Sequence, residues 1–103
     1  MFPKYEEIQI PLLTEIAKRG GKVYPSDKNS KGQTVYEALA EYFDLSPEAV
    51  NFEIYESDGK ARSKWKNIVR WTRNDLVKKG FMSSANRGIW ELTELGKNKL
   101  KNT

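Results

Sequence analysis

The chain contains neither cysteine nor histidine in its 103 residues, and this constrains its fold more than any other feature. Without cysteine there can be no disulfide framework, and without either residue type the usual zinc-binding sets cannot form. An apolar core must therefore hold the fold together. The sequence is 38% hydrophobic and includes three Trp, five Tyr and four Phe, which is enough for one such core. We expect a single domain over residues 1–103.

Charge is distributed unevenly along the chain, although the net charge is only +4. Seven acidic residues and no basic residue lie between Gln33 and Gly59. Between Lys60 and Trp90 there are nine basic residues and one acid, Asp75. A solvated helix face would explain such a run, but nucleic acid is the commonest polyanion to complement it. The acidic segment from Glu37 to Asp58 is then expected to face away from DNA or toward another protein.

Apolar residues recur at three- and four-residue intervals between Tyr5 and Ala17, which predicts an amphipathic helix. Proline lacks an amide donor and disfavours helical geometry in the preceding residue. We therefore expect a short leading turn, followed by the main helix from Pro11 to Arg19. Gly20 and Gly21 should end this helix. Residues 24–33 are polar and turn-rich, which favours a loop.

Two further helix starts are visible in the middle of the chain. Thr34-Val-Tyr-Glu37 matches a capping box and predicts a helix to about Phe43. Ser46 followed by Pro47 predicts a short helix to Asn51. The run from Phe52 to Glu56 is too short to decide between strand and loop, and a turn at Asp58-Gly59 follows it.

The second half of the chain predicts a long basic helix, a β-hairpin and a last helix. From Ser63 to Lys79 an apolar stripe follows helical spacing. Its members are Trp65, Ile68, Val69, Thr72 and Leu76. Two short extended runs around the turn 85–88 indicate a hairpin, and Thr93 caps the final helix. We expect the three tryptophans to pack in the core, the alternative being that they stack on bases.

The order of helix, helix, basic helix and hairpin is typical of a winged helix. The predicted fold class is therefore mainly α, within α+β: a winged helix-turn-helix with three or more helices, a C-terminal β-hairpin wing and a final helix. In this fold the third helix enters the major groove, and the wing reaches the backbone or minor groove. The alternative is a small helical domain whose hairpin merely covers the core.

Several segments carry a family resemblance. They are Asn67-Ile-Val-Arg-Trp71 with Leu76, Lys78-Lys79-Gly80-Phe81, Arg87-Gly88-Ile89-Trp90, Leu92-Thr93 and Gly96, together with Pro11-Leu12-Leu13. In these segments the chain resembles the N-terminal winged-helix domain of Mrr-type restriction-system proteins, over nearly its whole length. It departs from that family at Ile68, where a basic residue is usual. Because the family's nuclease lies in a separate downstream domain, the resemblance implies DNA binding without cleavage.

The predicted DNA-contact residues lie on the basic helix, just before it and on the wing. They are Lys60, Arg62, Ser63, Lys64, Lys66, Asn67, Arg70, Arg73, Asn74, Asn86 and Arg87. Asparagine can read adenine and arginine can read guanine through paired hydrogen bonds, but phosphate contact or plain solvation fits the same residues. Arg87, at the hairpin tip, can enter a narrow minor groove, the alternatives being backbone contact or solvent.

Catalytic patterns are nearly absent from the sequence. A metal-dependent nuclease needs carboxylates and a lysine, and the acid-x-Lys pattern occurs once, at Asp58-Gly59-Lys60. This match lies in a predicted turn and lacks an obvious paired acid. Gly20-Gly21 follows a helix instead of opening one, so it does not form a phosphate-binding loop. We expect no catalytic site, no metal and no cofactor in this chain.

These observations define the expected partners. The main expected partner is duplex DNA. A second expected partner is a downstream nuclease domain or another protein. The sequence is compatible with both a monomer and a homodimer. The chain has no long apolar stretch and no signal-peptide core, so a membrane is not expected and a cytoplasmic location is. The alternative function is that of a protein-interaction or dimerisation winged helix.

Overall fold

In the computed structural model, which describes residues 2–103, five helices and five short strands form an α+β, winged-helix-like fold. The helices are α1 (Tyr5–Lys18), α2 (Val35–Tyr42), α3 (Pro47–Val50), α4 (Lys64–Lys78) and α5 (Glu94–Lys101). The strands are β1 (Lys22–Val23), β2 (Glu53–Tyr55), β3 (Ala61–Ser63), β4 (Met82–Ser83) and β5 (Trp90–Leu92). The predicted fold class is confirmed, with α4 as the basic helix and β4–β5 as the wing.

Hydroxyl side chains cap the starts of four helices. The Thr34 hydroxyl accepts a hydrogen bond from the Glu37 amide at 3.2 Å, and the Glu37 carboxylate accepts one from the Thr34 amide at 2.9 Å. Ser46, Ser63 and Thr93 accept equivalent bonds from the amide three residues ahead. Each cap satisfies a backbone donor that a helix start leaves free, so local sequence fixes where these helices begin.

Helix α1 differs from its prediction. It runs without interruption from Tyr5 to Lys18, with Pro11 inside it. Ile8 and Leu12, on either side of this proline, are fully buried in the core. Burial of these side chains offsets the one helical hydrogen bond that proline cannot donate. The predicted break at Pro11 is therefore wrong.

The strands are arranged in two antiparallel sheets. In the first, β5 lies between β1 and β4. Strand β1, which the sequence did not predict, has only two residues and exists through its pairing with β5. In the second sheet β2 pairs with β3, and residues 56–60 connect them. The undecided run after Phe52 is therefore a strand, and the turn at Asp58-Gly59 is confirmed, with Gly59 at a φ of 80°.

The core lies where α1 packs against α4, α2 and the sheet. Trp65 is buried as predicted, with 1% of its surface exposed, and Trp90 is buried as well. Trp71 is 53% exposed, so its predicted place in the core is wrong. Trp71 is exposed because its position in the helical repeat of α4 places it outside the apolar stripe that contains Trp65 and Leu76.

Gly96 marks a close approach between α5 and the residue that precedes β4. A Cβ atom at position 96 would lie 2.0 Å from the carbonyl oxygen of Phe81. That oxygen already accepts a hydrogen bond from the Thr93 amide at 3.2 Å. The backbone of this junction therefore has no room for a side chain.

We predict that Gly96→Ala lowers the free energy of unfolding by about 1–3 kcal/mol, because overpacking outweighs the gain in helix propensity. Urea denaturation measures this change. Lys97→Ala, at an exposed position of the same helix, is the control and should change stability by less than about 0.5 kcal/mol. Equal stability of the Gly96 variant and the wild type would contradict the close approach.

Candidate nucleic-acid interface

One flank of α4 is cationic and borders a groove. Lys66, Arg70 and Arg73 follow one another at four- and three-residue spacing, so their side chains lie on the same flank of the helix. The groove has a volume of about 460 Å³. Its other lining residues are Pro25, Ser26, Tyr36, Asn74, Gly88 and Trp90. No lining residue is acidic, so the groove between α4, the loop after β1 and the wing is lined by three cations and no anion.

Tyr36 of α2 supports two of these cations from below. The Lys66 Nζ and the Arg70 Cζ each lie 5.6 Å from the centroid of its ring. The ring is buried and packs edge-to-face on Trp90, with 5.7 Å between centroids. Cation–π attraction therefore holds Lys66 and Arg70 at the groove while both side chains stay exposed to solvent.

Arg73 is held more tightly than its two neighbours. Its Nη2 donates a hydrogen bond to the Ser83 carbonyl of β4 at 3.3 Å, and its guanidinium lies 6.0 Å from the Trp90 ring. Its Nε is buried and has no hydrogen-bond partner among residues 2–103. Burial also lowers the pKa of Arg73 from its ordinary value. Arg73 thus links α4 to the wing and adds positive charge at their junction.

The two predicted asparagines lie in different places. Asn74 is exposed and lines the groove, where its side-chain oxygen lies 3.5 Å from Arg73 Nη1. Asn67 is half-buried and is not among the residues that line this groove. Only Asn74 therefore joins the cationic flank.

Lys64 lies on the opposite flank of α4. It shares a second, smaller groove of about 300 Å³ with Ile68 and the residues Pro3, Lys4, Tyr5 and Glu6 at the start of α1. Ile68 itself is buried, with 6% of its surface exposed. The position at which this sequence departs from the family pattern therefore belongs to the core and cannot face a base.

The wing tip extends beyond the cationic groove. Asn86 and Arg87 are exposed, and the Asn86 carbonyl accepts a hydrogen bond from the Ile89 amide at 3.2 Å. Gly88 has a φ of 79°, which glycine adopts without strain. The turn therefore presents Arg87 to solvent, next to the glycine that lines the groove.

The hairpin β2–β3 holds the remaining predicted contacts before α4. Asp58 accepts hydrogen bonds from the Lys60 amide at 2.9 Å and from Arg62 Nη2 at 3.3 Å. The acid of the acid-x-Lys pattern, Asp58, therefore uses its carboxylate to stabilise the turn in which it lies. Ser63 caps α4 and lines a groove next to Lys66, whereas Lys60 and Arg62 line neither groove beside that residue.

A family model for the Mrr N-terminal domain matches residues 5–102. The chain belongs to the Mrr N-terminal domain family. This confirms the resemblance and relates the chain to restriction systems through an N-terminal module that is not a catalytic one. No curated protein and no solved structure gave a significant match.

Sequence reasoning missed two residues of this Mrr N-terminal domain that lie beside the predicted contacts. Tyr36 reads as an ordinary helix residue, and only the packed fold shows the two cations above it. Lys28 lies outside the basic block, in a turn-rich loop, yet it lines a groove of about 590 Å³ together with Lys66. Neither the periodicity nor the count of charges carried a signal for these two residues.

The acidic segment is not fully separated from the basic flank of the Mrr N-terminal domain. Glu37 and Glu53 line the same groove as Lys28 and Lys66. The pKa of Glu37 is lowered by hydrogen bonding to the Thr34 backbone and then to the Thr34 side chain, with smaller contributions from the charges of Lys28 and Lys66. Two acids of the segment that is expected to face away from DNA or toward another protein, Glu37 and Glu53, therefore border the basic flank.

Residues 2–103 of this Mrr N-terminal domain lack two further features. No group of three or more acidic side chains is arranged to hold a metal ion. None of the helices in that range combines the length and the apolar character needed to cross a bilayer.

Proposed function

We propose that this Mrr N-terminal domain binds duplex DNA as the recognition module of a restriction-modification-type system, in the cytoplasm and without nuclease activity of its own. Helix α4 lies in the major groove, and the wing contacts the flanking backbone or minor groove. The observation that carries this proposal is the groove in which Lys66, Arg70 and Arg73 meet between α4 and the wing with no acid among them. A site of this charge and shape suits a phosphate backbone.

Arg70 is our candidate for contact with base edges. It is exposed and lies near the middle of α4, and the Tyr36 ring restricts its guanidinium. A restricted guanidinium loses less conformational freedom when it forms the two hydrogen bonds that guanine accepts in the major groove. Arg73 has a different role, because its bond to the Ser83 carbonyl holds the wing against α4.

The other cations supply contacts that carry no sequence information. Lys60 and Lys64 flank the start of α4, and Arg87 lies at the wing tip. Phosphate contacts from such positions fix the orientation of a domain on the duplex. Arg62 contributes less than these three, because its guanidinium is paired with Asp58.

The double variant Lys66→Ala/Arg70→Ala tests this proposal. We predict that it binds a labelled 20-base-pair duplex at least about tenfold more weakly than the wild type at low salt, because two phosphate or base contacts are lost. Fluorescence anisotropy measures the affinity. Unchanged affinity would contradict the proposed interface.

The matched control for this experiment is Lys97→Ala/Lys101→Ala. It removes the same number of positive charges from α5, none of whose residues lines the cationic groove. The control should bind within about twofold of the wild type if position, and not net charge, determines affinity. An equal loss in both double variants would indicate attraction by net charge alone.

One observation favours the alternative function, a protein-interaction module. Trp71 is 53% exposed and Tyr5 is 44% exposed, and neither residue lines the cationic groove. Exposed aromatic residues are enriched at protein interfaces. A Trp71→Ala variant that keeps full DNA affinity but no longer binds a partner protein would assign this surface to a separate contact.

A further inference from the structure

The loop that precedes α2 is fastened to α1 by one buried side chain. Arg19 pairs with Glu15 at 2.7 Å, and its other nitrogens donate to the carbonyls of Asp27 at 2.9 Å and Gln33 at 3.1 Å. The side chain of Arg19 is only 8% exposed. A single guanidinium thus fixes two distant points of the loop 24–33.

The loop also has hydrogen bonds of its own. The side-chain oxygen of Asn29 accepts from the amides of Lys31 at 3.0 Å and Gln33 at 2.9 Å. The Val35 amide at the start of α2 donates to the Pro25 carbonyl at 3.1 Å. A polar segment cross-linked in this way has a defined shape, so the positions of its side chains relative to α4 are defined as well.

This shape brings the loop to the cationic flank of α4. Pro25 and Ser26 line the groove that holds Lys66, Arg70 and Arg73. Lys28 is exposed and lines the adjoining groove, which also contains Lys66. The positive surface therefore continues from α4 onto a segment more than thirty residues earlier in the sequence.

We propose that the loop 24–33 is a third DNA-contacting element, in which Lys28 binds a backbone phosphate on the side of α4 that faces α2. This inference rests on the proposed function. A phosphate is the ligand expected there because Lys28 presents a single flexible ammonium group, which suits a point contact better than paired base recognition.

Glu37 opposes this contact. Its carboxylate lies in the same groove as Lys28 and Lys66, where it repels a phosphate that approaches either lysine. Glu37 also accepts the backbone hydrogen bond that completes the cap of α2. Glu37 therefore stabilises the start of α2 but weakens DNA binding. Glutamine can accept the same bond without the charge.

Lys28→Ala is the direct test, with Lys31→Ala as its control. Lys31 is exposed on the same loop but lines a different groove, together with Glu15 and Tyr42. We expect Lys28→Ala to bind duplex DNA about three- to tenfold more weakly at low salt and to reduce the salt slope by about one. Lys31→Ala should leave both quantities unchanged.

Glu37→Gln supplies an independent readout, because it should strengthen DNA binding by about two- to fivefold. Glutamine keeps the capping bond but loses the charge that this bond favours, so we expect only a small loss of stability. If Lys66→Ala weakens binding but Lys28→Ala and Glu37→Gln do not change it, the third element is wrong and the proposed function stands. If the wild type itself does not bind duplex DNA, the proposed function fails first. Equal losses in Lys28→Ala and Lys31→Ala would show a nonspecific effect of charge and would also overturn the inference.

Discussion

Replacing Trp65 with alanine is expected to lower the free energy of unfolding by about 3–5 kcal/mol, the range for loss of a large buried aromatic side chain. Trp65 is 1% exposed and stacks on Phe2 with 6.3 Å between ring centroids. Its ring also contacts Phe43 edge-to-face at 6.3 Å. Removal of this side chain would leave a cavity where α4 meets α2 and the N-terminal segment.

The indole N–H adds a polar term to this loss. It donates to the Tyr36 carbonyl at 2.8 Å, inside the core. Trp65→Phe keeps most of the ring but removes the donor, so we expect an intermediate loss of about 1–3 kcal/mol. Because Tyr36 lies under Lys66 and Arg70, this bond also joins the core to the floor of the cationic groove.

Trp71→Ala is the matched control, since it removes the same side chain from the same helix. Trp71 is 53% exposed, and we expect its loss to change stability by less than about 1 kcal/mol. Urea denaturation followed by circular dichroism measures all three variants. Similar losses at positions 65 and 71 would contradict the phase assigned to α4, on which the positions of Lys66 and Arg70 also depend.

Features that depend on neighbouring residues were predictable from the sequence. The caps at Thr34, Ser46 and Thr93 need only a hydroxyl and an amide three residues ahead, so sequence spacing identifies them. The buried face of α4 follows from a single stripe with helical period. Together with the turn at 85–88 between two short extended runs, these features predicted the basic helix, the wing and the order of elements that is typical of a winged helix.

Features that depend on distant residues were not predictable. Strand β1 has two residues and no periodicity of its own, and β5 supplies its hydrogen bonds from almost seventy residues away. Pro11 stays within α1 because tertiary burial of Ile8 and Leu12 overrides a local rule. Long-range packing decided both cases, and no local pattern reports it.

In the candidate interface, too, local features were predictable from the sequence and long-range contacts were not. Lys66, Arg70 and Asn74 were identified because they lie on one helix within a basic block. Tyr36 and Lys28 come from other segments, and they meet Lys66 only after α2 and its preceding loop fold against α4. Sequence reasoning identified the charged helix, whereas the structure supplied its support and its neighbours.

The central claim is that this domain binds the phosphate backbone of duplex DNA. Among the predicted contact residues, five cations form no ion pair within residues 2–103 and are free of the constraint on Arg73. They are Lys60, Lys64, Lys66, Arg70 and Arg87. Because Arg70 is assigned to a base edge, the phosphate contacts are the other four cations and Lys28. If each of these five neutralises one phosphate, a plot of log affinity against log salt should have a slope of about −4.5.

The most direct test is therefore a titration of wild-type protein with duplex DNA at several salt concentrations between about 50 and 200 mM. Our account predicts that affinity falls by about 500-fold over this range, because the counterions released from the DNA gain less entropy as the salt concentration of the solution rises. A slope shallower than about −1, or no binding at the lowest salt, would contradict phosphate recognition and favour the protein-interaction function.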